Sequence, residues 1–203
     1  MKLHYTPGTI SIAVAIALEE AGAAYDSVPV DFARAEQTQP AYLAMNPKGR
    51  VPTLDVDGTL LTETGAILDY VGTLAPALVP EDALDAAHMR SVMYYLASTM
   101  HVNHAHKMRG HRWADNEASW ADMTAKVPET MTASAAFVES HALRGTYVTG
   151  GVVSLADPYL FAVCRWLPGD DVDLAPFPRI RAFMDAMEGR ASVQAIRAKG
   201  MIR

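Results

Sequence analysis

Cysteine is nearly absent from this sequence. Cys164 is the only one in 203 residues, which excludes an internal disulfide and is typical of a protein in a reducing cytoplasm. The sequence also lacks a run of about 18 apolar residues, so it predicts no membrane span. The N-terminus lacks the long apolar segment of a signal peptide. We therefore expect a cytoplasmic protein.

Positive charge is scarce as well. The chain has 17 Lys and Arg against 23 Asp and Glu, for a net charge of -6. This balance argues against a nucleic-acid partner. Hydrophobic residues make up 50% of the chain and charged residues 20%, which is ordinary for a soluble globular protein. The length allows one or two domains.

Strand and helix patterns alternate through residues 1–75, which we predict to be one domain. The predicted elements are a strand at 2–5, a helix at 11–23, a strand at 27–30, a weak helix at 41–45, a hairpin at 53–61 and a helix at 63–74. The first strand–helix–strand unit predicts a parallel pair. Pro29 marks the second strand as an edge strand, and Pro52 opens the third. This order is the pattern of a thioredoxin-like domain.

Helical periodicity alone follows a linker at residues 76–81, which contains two prolines. We expect a long helix from 82 to about 107, a second from 117 to 143, a third from Ser154 and two shorter ones after it. Ser154 and Asp157 have the spacing of a capping box. The predicted fold class is therefore α/β plus all-α, with a helical-bundle domain at 82–203.

The segment Asn46–Tyr70 organises the first domain. It begins with Asn-Pro-Lys-Gly-Arg-Val-Pro, which is turn chemistry, and the Val51–Pro52 bond is a candidate for a cis peptide. A hairpin follows, and then a helix that starts near Thr62-Glu63-Thr64. Because a helix N-terminus has free N–H groups, we expect it to hold a small carboxylate ligand.

The whole layout resembles the soluble glutathione S-transferases, and the bacterial beta class in particular. Four stretches carry the resemblance in the right order: Tyr5-Thr6-Pro7-Gly8 with Ser11 and the following helix, the Val51–Pro52 loop, Leu61-Thr62-Glu63 with Ala66-Ile67, and Ser154-Leu155-Ala156-Asp157. The beta class has a cysteine before Ser11, whereas this chain has Ile10. The resemblance implies glutathione as co-substrate, a small hydrophobic electrophile as second substrate, and a homodimer. We expect no metal, because no carboxylate or cysteine accompanies the histidines of residues 101–107 at ligand spacing.

The resemblance also implies which residues hold glutathione. The Val51 backbone, just before Pro52, would pair with the cysteinyl part of the peptide. Thr64 and its helix N-terminus would bind the γ-glutamyl carboxylate, and Glu63 would meet the ammonium group. Arg50 is a candidate for the glycyl carboxylate, as are Arg109 and Arg112. Taken alone, Glu63 and Thr64 would be read as a simple helix cap.

Conjugation requires a donor that stabilises the glutathione thiolate, since a free thiol has a pKa near 8.5. Ser11, at the start of the first helix, is the first choice, and the Thr9 hydroxyl is its rival within the glutathione site. Tyr5 is a third candidate, although an aromatic core residue is the more ordinary interpretation. By the resemblance, His101 faces the thiol and can donate to it or shuttle its proton.

His104 shares a helix face with His101 and is predicted to be a further glutathione contact. Met108 and Trp113 are candidates for the electrophile pocket, although such side chains are more often helix core. The activity predicted is conjugation of the glutathione thiol to a hydrophobic electrophile. The alternatives are a non-catalytic glutathione- or ligand-binding protein on the same scaffold, which Ile10 favours, and a glutathione-dependent isomerase or dehalogenase.

Overall fold

The computed structural model describes residues 1–202. The first half of the chain contains a four-stranded mixed sheet. The strands lie in the order β2-β1-β3-β4. Strand β1 (Lys2–Tyr5) pairs in parallel with β2 (Asp26–Pro29) and antiparallel with β3 (Thr53–Val56), which pairs antiparallel with β4 (Thr59–Thr62). The parallel first pair and the edge position of β2 are as predicted, and the thioredoxin-like fold is confirmed.

Three helices accompany the sheet: α1 (Ser11–Glu20), α2 (Pro40–Met45) and α3 (Thr64–Leu74). Helix α1 is buried on every side from residue 11 to 18 because it packs against α3 and also against two helices of the second half. It ends three residues earlier than predicted. Gly22, at φ +62°, takes the left-handed conformation that turns the chain after the helix.

The second half is all helical. Its helices are α4 (Ala83–Tyr95), α5 (His101–Arg109), α6 (Glu117–Phe137), α7 (Ala156–Cys164), α8 (Pro178–Glu188) and α9 (Ala191–Ala198). The long helix predicted for 82–107 is interrupted by a π-helical turn at Leu96–Met100, which separates α4 from α5. A second π-helical turn, Val138–Ala142, follows α6. The helical architecture is as predicted, whereas the division at 1–75 and 82–203 stays a prediction.

Helix α7 lies at the centre of this half, and all nine of its residues are buried. Its N-terminus is fixed by Asp157, whose carboxylate accepts hydrogen bonds from the Val148 N–H at 2.8 Å, the Ser154 N–H at 2.7 Å and the Ser154 hydroxyl at 2.8 Å. The predicted pairing of Ser154 with Asp157 is therefore present. No helix within residues 1–202 has the length and apolarity to cross a membrane.

Candidate functional site

A cavity of about 800 Å³ lies between the loops of the first half and helix α5. Most of one wall comes from three chain segments of the first half, residues 8–10, 46–52 and 62–66, and Phe32, Gln37, Thr38 and Asp69 also line it. Side chains of α5 and of the turn after it form the opposite wall, together with Tyr159 and Trp166. The cavity therefore joins the two motifs that the sequence singled out, the Val51–Pro52 loop and the histidine-bearing helix.

Side-chain hydrogen bonds from Asn46 and Tyr42 fix the loop that ends at Val51 and Pro52. Asn46 is 1% exposed, and its amide donates to the Arg50 carbonyl at 2.8 Å and to the Thr53 hydroxyl at 3.1 Å. The Tyr42 hydroxyl also donates to the Arg50 carbonyl, at 2.7 Å.

The Val51–Pro52 peptide is cis, as the sequence predicted. Within residues 1–202 the Val51 N–H and C=O make no backbone hydrogen bond. A polar backbone edge therefore faces the cavity without an internal partner.

The N-terminus of α3 forms the next part of the wall. Glu63 precedes the helix at φ +72°, a conformation that a non-glycine residue adopts only under constraint. Its carboxylate pairs with the Lys48 ammonium at 2.5 Å, and Lys48 also donates to the Thr62 hydroxyl at 2.8 Å. Thr64 and Gly65 follow on the cavity wall. Their free N–H groups make this end of the helix suitable for an anion.

The hydroxyl network at the start of α1 lies at the cavity wall and behind it. Ser11 is 0% exposed and does not line the cavity. Its hydroxyl accepts from the Thr6 N–H at 3.2 Å, lies 3.2 Å from the Thr6 carbonyl and lies 2.6 Å from the Thr9 hydroxyl. Gly8, at φ +73°, turns the loop so that Ser11 points inward and Thr9 and Ile10 lie on the wall. Of these two hydroxyl residues, Thr9 is the one on the cavity wall.

Two further candidates also lie off the wall. Tyr5, the last residue of β1, is 8% exposed and belongs to the hydrophobic core. This is the ordinary role of an aromatic residue, the alternative to the catalytic role predicted from the sequence. Met108 is 85% exposed because it occupies the face of α5 that points to solvent. Trp113, by contrast, lines the cavity as predicted for a pocket residue.

His101 and His104 both lie on the cavity wall and both contact Trp166. The ring centroid of Trp166 is 4.9 Å from that of His101 and 4.2 Å from that of His104, with His104 stacked at 20°. Burial lowers the pKa of His101 to about 4, and the positive charges of Arg109 and Arg50 add to the effect. His101 is therefore a neutral imidazole near pH 7.

His104 has an acidic partner. Its Nδ1 lies 2.7 Å from Oδ2 of Asp170, and Asp170 is 1% exposed. A carboxylate beside Nδ1 favours the tautomer with the proton on that nitrogen, in which Nε2 is a hydrogen-bond acceptor.

Three arginines line the same cavity: Arg50, Arg109 and Arg112. None of them has an ion pair within residues 1–202. The two acids on the wall already have ion-pair partners other than these arginines, since Glu63 pairs with Lys48 and Asp69 pairs with Arg90 at 3.3 Å. The cavity therefore carries uncompensated positive charge, although the whole chain is acidic.

Residues 1–73 match the family model described as "Glutathione S-transferase, N-terminal domain". The glutathione S-transferase GstA of Escherichia coli O157:H7 is 31% identical over 99% of this chain and 100% of its own length. The chain belongs to the glutathione S-transferase family. A maleylacetoacetate isomerase of Rhizobium meliloti (strain 1021) is also related, at 32% identity over 88% of this chain and 86% of the relative.

Solved structures of bacterial members of the family are similar to this transferase. A glutathione transferase homologue from Sulfitobacter, described with bound glutathione, is 64% identical and has a TM-score of 0.97 over 98% of both chains. A beta-class glutathione S-transferase of Sphingomonas chungbukensis is 31% identical, with a TM-score of 0.84 over 99% of this chain and 100% of the other. The resemblance to the beta class thus extends to the structure.

The single cysteine of this transferase does not line the cavity. Ile10 is 5% exposed and lies on the wall next to Thr9. Cys164 is buried inside α7, and burial raises the pKa of its thiol to about 12. Within residues 1–202, no group of three or more His, Cys, Asp and Glu side chains is arranged to hold a metal ion.

Several residues of the site were not among the predictions, and three of them connect the second half to the cavity. Trp166 donates from Nε1 to the Gly8 carbonyl at 3.2 Å, so it ties the second half to the first cavity loop. Tyr159 reaches the wall from α7, and Asp170 reaches His104 from the loop after it. Sequence spacing gives no signal for these contacts, because each one depends on how the helical half packs against the sheet.

Proposed function

We propose that this transferase holds glutathione along the first-half wall and joins its sulfur to an electrophile in the part of the cavity next to α5. The observation that carries the proposal is that the α3 N-terminus, the unpaired Val51 backbone and the histidine-bearing face of α5 line one cavity. An extended peptide that pairs with Val51 has its γ-glutamyl carboxylate at Thr64. Arg50, adjacent to Val51, takes the glycyl carboxylate.

Thr9 replaces Ser11 as the hydroxyl that stabilises the thiolate. The Thr9 hydroxyl now donates to the Thr6 carbonyl at 2.7 Å. The Ser11 hydroxyl lies 3.2 Å from the same carbonyl and can donate to it instead. The Thr9 hydroxyl can then rotate and donate its hydrogen bond to the thiolate sulfur. In this arrangement Ser11 is a positioning residue.

The reaction requires a proton acceptor, and His104 fits that role better than His101. The thiol proton passes to Nε2 of His104 or to water, and the thiolate attacks the electrophilic carbon. The new C–S bond forms as the bond to the leaving group breaks, and the leaving group departs with the electron pair. His101, which is neutral, donates its N–H to the sulfur.

An assay with glutathione and 1-chloro-2,4-dinitrobenzene tests this function, with the thioether followed by absorbance. We expect turnover in the unchanged protein, and Thr9→Val should lower kcat by about tenfold or more because one donor to the anion is lost. Glutathione binding in calorimetry without turnover on any electrophile would contradict the transfer and support a binding protein instead. Equal kcat in Thr9→Val would remove Thr9 from the mechanism.

The homodimer, the cytoplasmic location and the domain division at residues 76–81 remain parts of the proposal. Several large apolar side chains are exposed, among them Leu74 at the end of α3 and Leu84 and Tyr94 in α4, at 44%, 78% and 60%. An apolar surface of this kind supports association. Sedimentation of the full chain as a single species of monomer mass at micromolar concentration would contradict the dimer.

A further inference from the structure

The positive charge of the cavity exceeds what glutathione needs. Glutathione has two carboxylates, and the proposed function places one at the N-terminus of α3, where backbone N–H groups and Thr64 receive it. The glycyl carboxylate requires one guanidinium, because a planar fork binds a carboxylate through two parallel hydrogen bonds. Arg50 supplies that group. Arg109 and Arg112 then remain on the wall with no anion to bind.

The two remaining arginines lie together, on the side of the cavity that α5 forms. Arg109 is the last residue of α5, and Arg112 belongs to the single 3-10 turn that follows it. Trp113 comes next in the chain and is also on the wall. This end of the cavity thus combines two guanidinium groups with an aromatic ring.

Neither Arg109 nor Arg112 has an ion pair within residues 1–202. Burial lowers the pKa of Arg109, and the nearby charge of Arg50 lowers it further. Burial also lowers the pKa of Arg112, with added repulsion from Arg109 and Arg50. The three guanidinium groups therefore lie close enough to repel one another. Arg109 is half-buried, whereas Arg112 is exposed. A partly buried cation without a counterion is unfavourable, so a bound anion stabilises Arg109 and offsets the repulsion among the guanidinium groups.

We infer that the second substrate is an electrophile with its own carboxylate, which Arg109 and Arg112 bind while Trp113 packs against its apolar body. The inference rests on the proposed function, and it narrows the substrate from any hydrophobic electrophile to an anionic one. Two ordinary roles compete with it. Arg109 lies at the C-terminus of α5, where a cation stabilises the helix, and either arginine can serve the glycyl carboxylate.

A matched pair of electrophiles separates these roles. 4-Chloro-3,5-dinitrobenzoate and its methyl ester react with glutathione by the same displacement of chloride, and they differ in one negative charge. Each enzymatic kcat/KM is divided by the uncatalysed rate with glutathione alone, which corrects for the different reactivity of the two rings. We expect the unchanged enzyme to favour the carboxylate over the ester.

Arg109→Gln and Arg112→Gln should each lower the corrected kcat/KM for the carboxylate by about tenfold or more, since a hydrogen bond to a charged group is lost. The ester and the KM for glutathione should change by less than about twofold, which also shows that the variants are folded. Arg50→Gln should instead raise the KM for glutathione with both electrophiles. Arg181→Gln, an exposed arginine of α8 outside the cavity, is the matched control.

Two results would overturn the inference. One is an unchanged enzyme that shows no preference for the carboxylate. The other is an Arg109→Gln or Arg112→Gln variant that loses activity equally on both electrophiles and raises the KM for glutathione, because the arginines would then serve the glycyl carboxylate.

Absence of turnover on either electrophile would count against the proposed function rather than the anion site. Calorimetry with the preformed glutathione thioethers of the acid and the ester then tests the anion site directly. Tighter binding of the acid thioether that is lost in Arg109→Gln supports the inference, and equal binding of the two thioethers overturns it.

Discussion

Nδ1 of His104 lies 2.7 Å from Oδ2 of Asp170, and the two residues are 66 positions apart in the chain. The other carboxylate oxygen of Asp170 is buried and has no hydrogen-bond partner within residues 1–202, although the Lys107 ammonium is 3.7 Å away. His104 also stacks on Trp166, so its ring is held on two sides. An imidazole fixed in this way presents Nε2 as a proton acceptor with a defined direction.

Asp170→Asn should therefore lower kcat by about tenfold or more, because the amide can stabilise the wrong tautomer of His104. The KM for glutathione should change little. The pH profile of kcat distinguishes this role from a structural one, since the apparent pKa on the acidic side should move only if His104 accepts the proton. Asp171→Asn, at an exposed neighbouring position, is the control and should keep both kcat and the profile. An unchanged profile in Asp170→Asn would exclude His104 as the base.

Thr64 gives a prediction for binding rather than for chemistry. The residue is 8% exposed and begins α3 on the cavity wall. Thr64→Val should raise the KM for glutathione by about tenfold, since one hydrogen bond to a charged carboxylate is lost, and kcat should stay close to that of the unchanged enzyme. Thr59→Val, on the exposed part of β4, should leave both constants as they are. Isothermal calorimetry with glutathione gives an independent check, and equal affinity in Thr64→Val would contradict the assignment.

The parts of the site that the sequence predicted depend on local chemistry. Val51, Pro52 and Thr64 could be placed because a proline-rich turn, a hairpin and a helix start follow one another within one segment. The capping pair of Ser154 and Asp157 is local in the same way, since three positions separate the two residues.

The other parts of the site depend on which way a side chain points or on contacts between residues that are far apart in the chain. Ser11 and Thr9 are two positions apart, and the turn at Gly8 decides which hydroxyl faces the cavity. Trp166 contacts Gly8 across 158 positions. Residue spacing carries no information about such a contact, because the packing of α7 and the loop after it against α1 brings the two together.

His101 predicts a pH dependence of stability. Its pKa in the folded protein is about 4, against an ordinary value of 6.5. Between pH 6.5 and 4 the unfolded chain therefore binds a proton that the folded protein does not bind, so stability falls as the pH falls through this window. Between pH 7.5 and pH 4.5, the free energy of unfolding of His101→Asn should fall by about 2 kcal/mol less than that of the unchanged protein, allowing for the partial exposure of the ring. Urea unfolding at pH 7.5 and pH 4.5 measures both, and an equal loss would contradict the shifted pKa.

Asp157 predicts a stability effect that is separate from activity. Its carboxylate accepts three hydrogen bonds from Val148 and Ser154 in an environment that is 0% exposed. Asp157→Ala leaves two buried N–H groups and one hydroxyl without an acceptor, which should lower the free energy of unfolding by about 3 kcal/mol or more. Asp157→Asn keeps the shape and one acceptor oxygen, so its loss should be smaller. The exposed Asp115→Ala should change stability by less than about 0.5 kcal/mol. Because Asp157 does not line the cavity, kcat per folded molecule should stay the same in all three variants. A fall in kcat without a fall in stability would show that Asp157 acts on the site rather than on the fold.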